Sequence, residues 1–163
     1  MNSPADGVRP RWRRRLLYRL LSLYPPFLGA GIRVRRQPDG FEVRLRLRRW
    51  NRNAVGTHFG GSLYAMCDPF FMLLLIDALG PGYVVWDKAA TIRFRRPGKG
   101  TVTALFAVTP ERVAEIRAAA DRGEPVEPTF TVKVNDERGI LVAQVDKVLH
   151  VRRQEIDQAE AAG

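Results

Sequence analysis

Apolar and charged positions alternate strictly along two neighbouring runs of the chain. In Ile32-Arg33-Val34-Arg35, and again from Phe41 to Arg48, every second residue is apolar; Arg33, Arg35, Glu42, Arg44, Arg46 and Arg48 fall between them. A period of two is that of a strand buried on one face. Gln37-Pro38-Asp39-Gly40 separates the runs with turn chemistry, which predicts a β-hairpin with one face in the core and a basic face in water. Tyr83 to Pro97 and Thr101 to Val108 form a second pair around Pro97-Gly98-Lys99-Gly100. Val84, Trp86, Ala90, Ile92 and Phe94 are expected on one face of the first strand, with Lys88 among them; Val102, Ala104, Phe106 and Val108 share a face of the second. A third pair, Pro128 to Asn135 and Ile140 to Val151, is joined by a short turn ending at Gly139.

The stretch from Asn53 to Gly80 has a different pattern. Its polar interruptions are chiefly Ser62, Asp68 and Asp77, and its apolar residues are not confined to one stripe. A helix apolar on all sides must be enclosed by protein or lipid, so residues 60 to 79 are expected to form a buried central helix. The segment reads as short for a membrane span, and Asp68-Pro69 near its middle argues further against one. Thr109-Pro110-Glu111 opens another helix, running to about Asp121 before Arg122-Gly123. From Arg11 to Tyr24 a helical wheel places Trp12, Leu16, Leu17, Leu20, Leu21, Leu23 and Tyr24 in one half and Arg14, Arg15 and Arg19 in the other, only Arg13 breaking the separation, with Pro25-Pro26 expected to end the helix. Such a helix either lies on a membrane surface or docks on its own domain, the commoner arrangement.

The order is therefore helix, hairpin, buried helix, hairpin, helix, hairpin. An antiparallel sheet curled around one central helix satisfies it, an α+β architecture within a single domain. The expected division is a basic N-terminal arm over residues 1–29, the domain over 30–151 and a tail over 152–163.

Charge changes this picture only at one end. Of the 27 Lys and Arg, 13 lie in residues 1–50 with 3 Asp or Glu, so the whole excess of +10 belongs to the N-terminal part. A localised basic arm suits an anionic partner such as the inner membrane surface or a phosphate-bearing substrate. Nucleic acid is the less expected partner, because stacking platforms and a recognisable nucleic-acid motif are missing. The single cysteine, Cys67, excludes an internal disulfide and a cysteine-rich zinc site, and His58 and His150 have no metal spacing. Apolar residues near the N-terminus are interrupted by Arg19 with no cleavage site after them, so the expected location is the cytoplasm. No P-loop, dinucleotide fingerprint, Gly-x-Ser-x-Gly elbow or Cys-x-x-Cys occurs.

The mouth of the central helix reads Asn53-Ala-Val-Gly56-Thr57-His58-Phe59-Gly60-Gly61, followed by Asp68. With the element order, these residues resemble the hotdog-fold thioesterase superfamily, in particular its PaaI-like branch and the DUF4442 group. The branch carries Asn-x-x-Gly-Thr-x-His-Gly-Gly and an acidic residue further along the helix. The DUF4442 likeness extends to the FGGSLYAM, DPFFML and VWDKAA runs. Where the PaaI-like branch has histidine this chain has Phe59; His58 lies one position earlier, about 100° away if the segment is helical, and does not take over that role.

The resemblance implies hydrolysis of an acyl-CoA or similar acyl thioester. It implies no metal or redox cofactor, and sites shared between the subunits of a homodimer. That chemistry needs oxyanion donors, which backbone N–H groups at Gly60 and Gly61 can supply, because a substrate approaches glycine backbone closely. It also needs a base or nucleophile, for which Asp68 is the candidate, against the plainer reading of a carboxylate paired in the core. Asn53 orients a water or stabilises the turn; Thr57 caps the helix or, with His58, Phe59 and Gly61, lines the substrate. Lys88 is expected at the substrate site as the partner of Asp68, or else as a lysine reaching out to water. Gly60 and Asp68 are eight residues apart, about 12 Å of helical rise, so one chain does not easily offer both to one carbonyl. A noncatalytic acyl-thioester or lipid-binding protein of the same fold is the alternative.

Overall fold

A computed structural model describes residue 18 and residues 20–154. The strands are β1 (Ile32–Gln37), β2 (Gly40–Arg46), β3 (Tyr83–Phe94), β4 (Thr101–Ala107), β5 (Thr129–Asp136) and β6 (Leu141–Arg153). They make one antiparallel sheet in the order β1-β2-β4-β5-β6-β3. The helices are α1 (Pro25–Ala30), α2 (Gly60–Ala65), α3 (Phe70–Leu79) and α4 (Pro110–Ala120). The sheet wraps α2 and α3, which is the hotdog arrangement.

The first hairpin forms as the alternation predicts. Gln37 pairs with Gly40 across Pro38-Asp39, and Phe41, Val43 and Leu45 lie opposite Phe106, Ala104 and Val102, all six buried. A Cβ at position 40 would stand 1.7 Å from the Phe106 carbonyl oxygen, so this turn accepts only glycine. Above the strands, Phe70 of α3 packs on Phe106, Phe41 and Phe27, with ring centroids 4.8, 5.2 and 6.1 Å apart.

The central helix is not continuous. Pro69 has no N–H to donate, and the turn before it tightens to Cys67 N–H on Tyr64 O and Asp68 N–H on Ala65 O; α3 restarts with Leu73 N–H on Pro69 O. Gly60–Leu79 is also long and apolar enough to cross a membrane. Its length is therefore no argument against a span, and its place under the sheet, with Leu63, Met66, Cys67, Phe70, Phe71 and Leu75 buried, is what accounts for it.

Two further expectations change, both in β3. Lys88 is the extra residue of a β-bulge: Asp87 pairs with Leu149 and Ala89 with Val148. The bulge reverses the faces of everything before it. Tyr83, Val85 and Asp87 thus share the helix side with Ala90, Ile92 and Phe94, whereas Val84 and Trp86 face out, Trp86 stacking on His150 at 4.0 Å. As expected, the helical run before Pro25-Pro26 stops there, at Leu23; the two prolines also begin α1, the first turn being where proline costs no hydrogen bond.

Most of the expected Arg11–Tyr24 helix lies outside the described residues. Within them, Tyr18 is buried against Phe41 and donates its hydroxyl to Asp77 at 3.0 Å. From the expected apolar half, Leu21 packs against the core, whereas Leu20, Leu23 and Tyr24 are exposed.

The two sheet edges differ. At β1, Ser22 Oγ accepts from Val34 N–H at 2.8 Å and so occupies that edge. The β3 edge is twelve residues long and exposes Ala89, Ala90 and Thr91.

Candidate functional site

Two groups of residues lie along α2, one at each end. At its start, Asn53 is turned inward to its own loop. Its Oδ1 accepts from Thr57 N–H at 2.9 Å and Val55 N–H at 3.1 Å, and its Nδ2 donates to Thr57 Oγ1 at 2.9 Å and His58 O at 3.2 Å. Of the two roles foreseen for Asn53, stabilising the turn is the one these bonds perform. Thr57 is committed to that loop and does not cap α2; the N-cap position is Phe59, without a side-chain cap.

His58 is buried and its Nε2 lies 3.2 Å from Gly100 O, which as a carbonyl only accepts, so Nε2 carries the proton. Its Nδ1 is buried without a partner. Burial holds the imidazole below its ordinary value, against the opposing effect of the Gly100 bond. A histidine lowered on folding stabilises fully above about pH 6.5, and that contribution fades as pH falls below it. Denaturant unfolding between pH 7.5 and about 5 is expected to show this loss, and His58→Gln, which keeps a donor for Gly100, to reduce it. An unchanged acid slope in that variant would remove His58 as its source.

Phe59 is exposed, with its ring over Gly61: a Cβ there would meet Phe59 Cε1 at 2.4 Å. Gly60 lies under Phe94, whose Cζ would stand 3.0 Å from an added Cβ. The Ser62 and Leu63 N–H groups both turn back to Phe59 O, so the N–H groups of Gly60 and Gly61 are those the helix start leaves over. Beside them a cavity of about 640 Å3 opens between the Asn53–His58 loop, Gly60 and the segment Phe94 to Lys99, with Arg95, Arg96 and Lys99 on its wall.

At the other end, the break before Pro69 turns Asp68 toward β6. Lys147, with no exposed surface, gives its Nζ to Asp68 O at 2.9 Å, Asp68 Oδ1 at 3.0 Å and Asp87 Oδ2 at 3.1 Å. Tyr64 OH donates to the same Asp68 Oδ1 at 3.0 Å. Asp68 is about half exposed, its side chain at 48%, and its Oδ2 has no partner among the described residues.

Burial works against the Lys147 charge, but bonds and charges from Asp68 and Asp87 outweigh it and hold the ammonium above its ordinary value. Asp87 is raised, first by burial, with Lys147 opposing; its Oδ1 is buried without a partner. Tyr64 is raised by burial and by its bond to Asp68. Cys67, buried beside them, is pushed up to about 12 by burial and is no nucleophile at neutral pH.

Lys88 does not reach Asp68: from the bulge it points to solvent and pairs with Glu127. The expected residues therefore divide. Asn53, Thr57, His58 and Gly60 line the cavity, Phe59 and Gly61 adjoin it, and Asp68 stands further along the helix with Lys147, Asp87 and Tyr64, which the sequence reading missed. Lys147 carried a usable signal, being the one charged residue among Ala143, Val145, Leu149 and Val151 on the buried parity of β6. Among the described residues no group of His, Cys, Asp or Glu is arranged to hold a metal ion.

The family model described as a domain of unknown function, DUF4442, matches residues 13–151, and the chain belongs to that family. Solved structures share the fold at low identity. A protein of unknown function from Pseudomonas aeruginosa, described as a probable thioesterase, is 23% identical, with 86% of this chain and 96% of that one covered and a TM-score of 0.76. A protein of unknown function from Chlorobaculum tepidum gives 15%, 89%, 97% and 0.70. A thioesterase from Haemophilus influenzae gives 17%, 87%, 92% and 0.62. None of the curated proteins matches the chain.

Proposed function

We propose that this DUF4442 chain is an acyl-CoA thioesterase in which Asp68 acts as general base or nucleophile and the Gly60 and Gly61 N–H groups receive the oxyanion. The observation that carries this reading is the Asp68 carboxylate itself. One oxygen is held by Lys147 and Tyr64, and the other is open on a half-exposed side chain. A carboxylate held in that way is prepared to take a proton from water or to attack an acyl carbon.

In the first route, water gives its proton to Asp68 as its oxygen bonds to the acyl carbon. The C–S bond then breaks, and the thiolate takes up a proton. In the second, Asp68 bonds to the acyl carbon as the C–S bond breaks, the leaving thiolate takes a proton from water, and a water molecule hydrolyses the resulting anhydride to the free acid and the Asp68 carboxylate. Water is the only co-substrate in either route, and CoA enters as part of the substrate. Arg95, Arg96 and Lys99 at the cavity suit the phosphates of CoA. The oxyanion donors and Asp68 lie at opposite ends of α2, so the working unit is a homodimer that brings one copy's helix start to the other's carboxylate. The expected location is the cytoplasm.

The second reading, an acyl-thioester binder without turnover, is favoured by one feature: the Phe59 ring lies over Gly61, where the oxyanion would form. A panel of acyl-CoAs with thiol detection separates the two. Turnover is expected, with KM about tenfold lower for a CoA thioester than for the matching pantetheine thioester, and Arg95→Ala/Lys99→Ala is expected to erase that difference. Tight binding of acyl-CoA with no thiol release would favour the binder.

A further inference from the structure

Among the described residues Lys147 is the only lysine or arginine fully shielded from solvent. A buried cation is costly, and an apolar residue of similar volume in its place is often as stabilising or more so, so stability alone does not explain a lysine on this strand. What the lysine does is visible in its bonds. An ammonium has three N–H donors, and all three are used. One goes to Asp87 Oδ2 and two go to a single residue, Asp68, at its main-chain oxygen and its Oδ1.

The main-chain oxygen belongs to the break at Pro69, outside both helices, and Lys147 supplies its donor. The same ammonium therefore fixes the backbone and the carboxylate of Asp68 together. Tyr64, one turn earlier, adds a second donor to Oδ1. With Oδ1 saturated, rotation of the carboxylate would break two bonds, and Oδ2 is left facing outward. Asp87 has a different part: it is the second anion beside a cation that would otherwise be balanced by one half-exposed carboxylate.

We propose that Lys147 is a positioning residue for Asp68, locking Oδ1 and the helix break so that Oδ2 is the oxygen presented to the acyl group, with Asp87 as the counter-charge that makes the lysine's burial tolerable. The proposal rests on the reading of Asp68 as the reacting group.

A lysine that serves only to neutralise buried carboxylates would behave differently from one that positions Asp68, and a paired substitution separates them. Lys147→Met alone is expected to lower the melting temperature, because Asp87 is left buried without its cation. Lys147→Met/Asp87→Asn removes that charge as well and is expected to melt near the wild type. If Lys147 positions Asp68, the double variant still loses kcat by about 100-fold, the scale of a misplaced reacting group, with KM within about threefold of wild type. Recovery of stability and wild-type kcat together would overturn the proposal.

Lys147→Arg provides the same decision if the double variant does not fold. It keeps the charge but replaces a point donor with a planar fork, so kcat is expected to fall about tenfold or more at unchanged KM. A Lys147→Arg protein as fast as wild type would also overturn it. Asp68→Asn tells this failure from that of the underlying reading. Turnover lost in Asp68→Asn but kept in the Lys147 variants removes Lys147 alone, whereas turnover unchanged in Asp68→Asn removes the proposed chemistry and Lys147 with it.

Discussion

Asp68→Asn is expected to lower kcat by about a thousandfold, the scale of a lost acid-base or nucleophilic group, in a protein that keeps its fold. Asparagine retains an oxygen where Oδ1 accepts from Lys147 and Tyr64, at 3.0 Å each. It also leaves the Asp68 carbonyl and Asp87 Oδ2 bonded to the ammonium. What it replaces is Oδ2, with an amide nitrogen that neither takes a proton from water nor attacks a thioester. Binding contacts around the cavity are untouched, so KM is expected to hold while kcat falls. Initial rates with thiol detection, beside thermal unfolding of both proteins, make the check. A folded variant that retains more than about a third of the wild-type rate would take Asp68 out of the chemistry.

How far such a site can be read without coordinates depends on how local its parts are. Asn53, Thr57, His58 and Gly60 fall within eight positions, and a glycine-containing loop before an apolar run places them at a helix mouth whatever surrounds them. The faces of β2 were equally legible, since Phe41, Val43 and Leu45 alternate without a bulge. Beyond local range the reading failed at β3. Trp86-Asp87-Lys88-Ala89 contains no glycine or proline to mark an irregularity, yet the bulge at Lys88 exchanges the two faces. The same reasoning that selected Lys88, a lysine among apolar neighbours, fits Lys147 on the regular strand β6, to which it was not extended. Lys147 lies 79 positions from Asp68 and opposite Ala90, a residue small enough to leave room for it, and only the sheet register reveals that pairing.

The helix break was half legible. Asp68-Pro69 is plain in the sequence, and a proline inside an apolar run is known to kink or stop a helix. Its consequence, a free carbonyl that recruits a buried lysine, needs the third dimension. The beginning of the chain shows the opposite limit, because the helical wheel sorted Leu20, Leu23 and Tyr24 correctly by polarity but could not say what the apolar half would meet. In the structure these three are exposed, whereas Leu21 of the same set packs against the core and Tyr18, from outside it, is buried.

Thr91→Asp is expected to weaken the proposed homodimer by about 100-fold and to make turnover depend on protein concentration. Of the two sheet edges, β1 is occupied by Ser22 at Val34, whereas β3 offers twelve residues with the exposed small run Ala89-Ala90-Thr91, the kind of edge that pairs with another chain. Along β3, Gly60 of α2 stands at Phe94, and Asp68 stands at the level of Asp87 and of Ala90, the strand partner of Lys147. Antiparallel pairing of β3 with its copy brings one molecule's Gly60 to the partner subunit's Asp68 only if Phe94 faces residues 87 to 90, which puts the two-fold axis near Thr91. A carboxylate at position 91 would then face its own copy, next to Asp146, which is already opposite Thr91 on β6. Like charges brought together in this way cost several kcal/mol; about 3 kcal/mol is roughly a 100-fold loss of affinity. Sedimentation of both proteins across a concentration series, with initial rates measured on the same samples, tests the link between assembly and turnover. A Thr91→Asp protein that is monomeric and fully active would dismiss the shared site, and one that stays dimeric at wild-type affinity would move the interface away from β3.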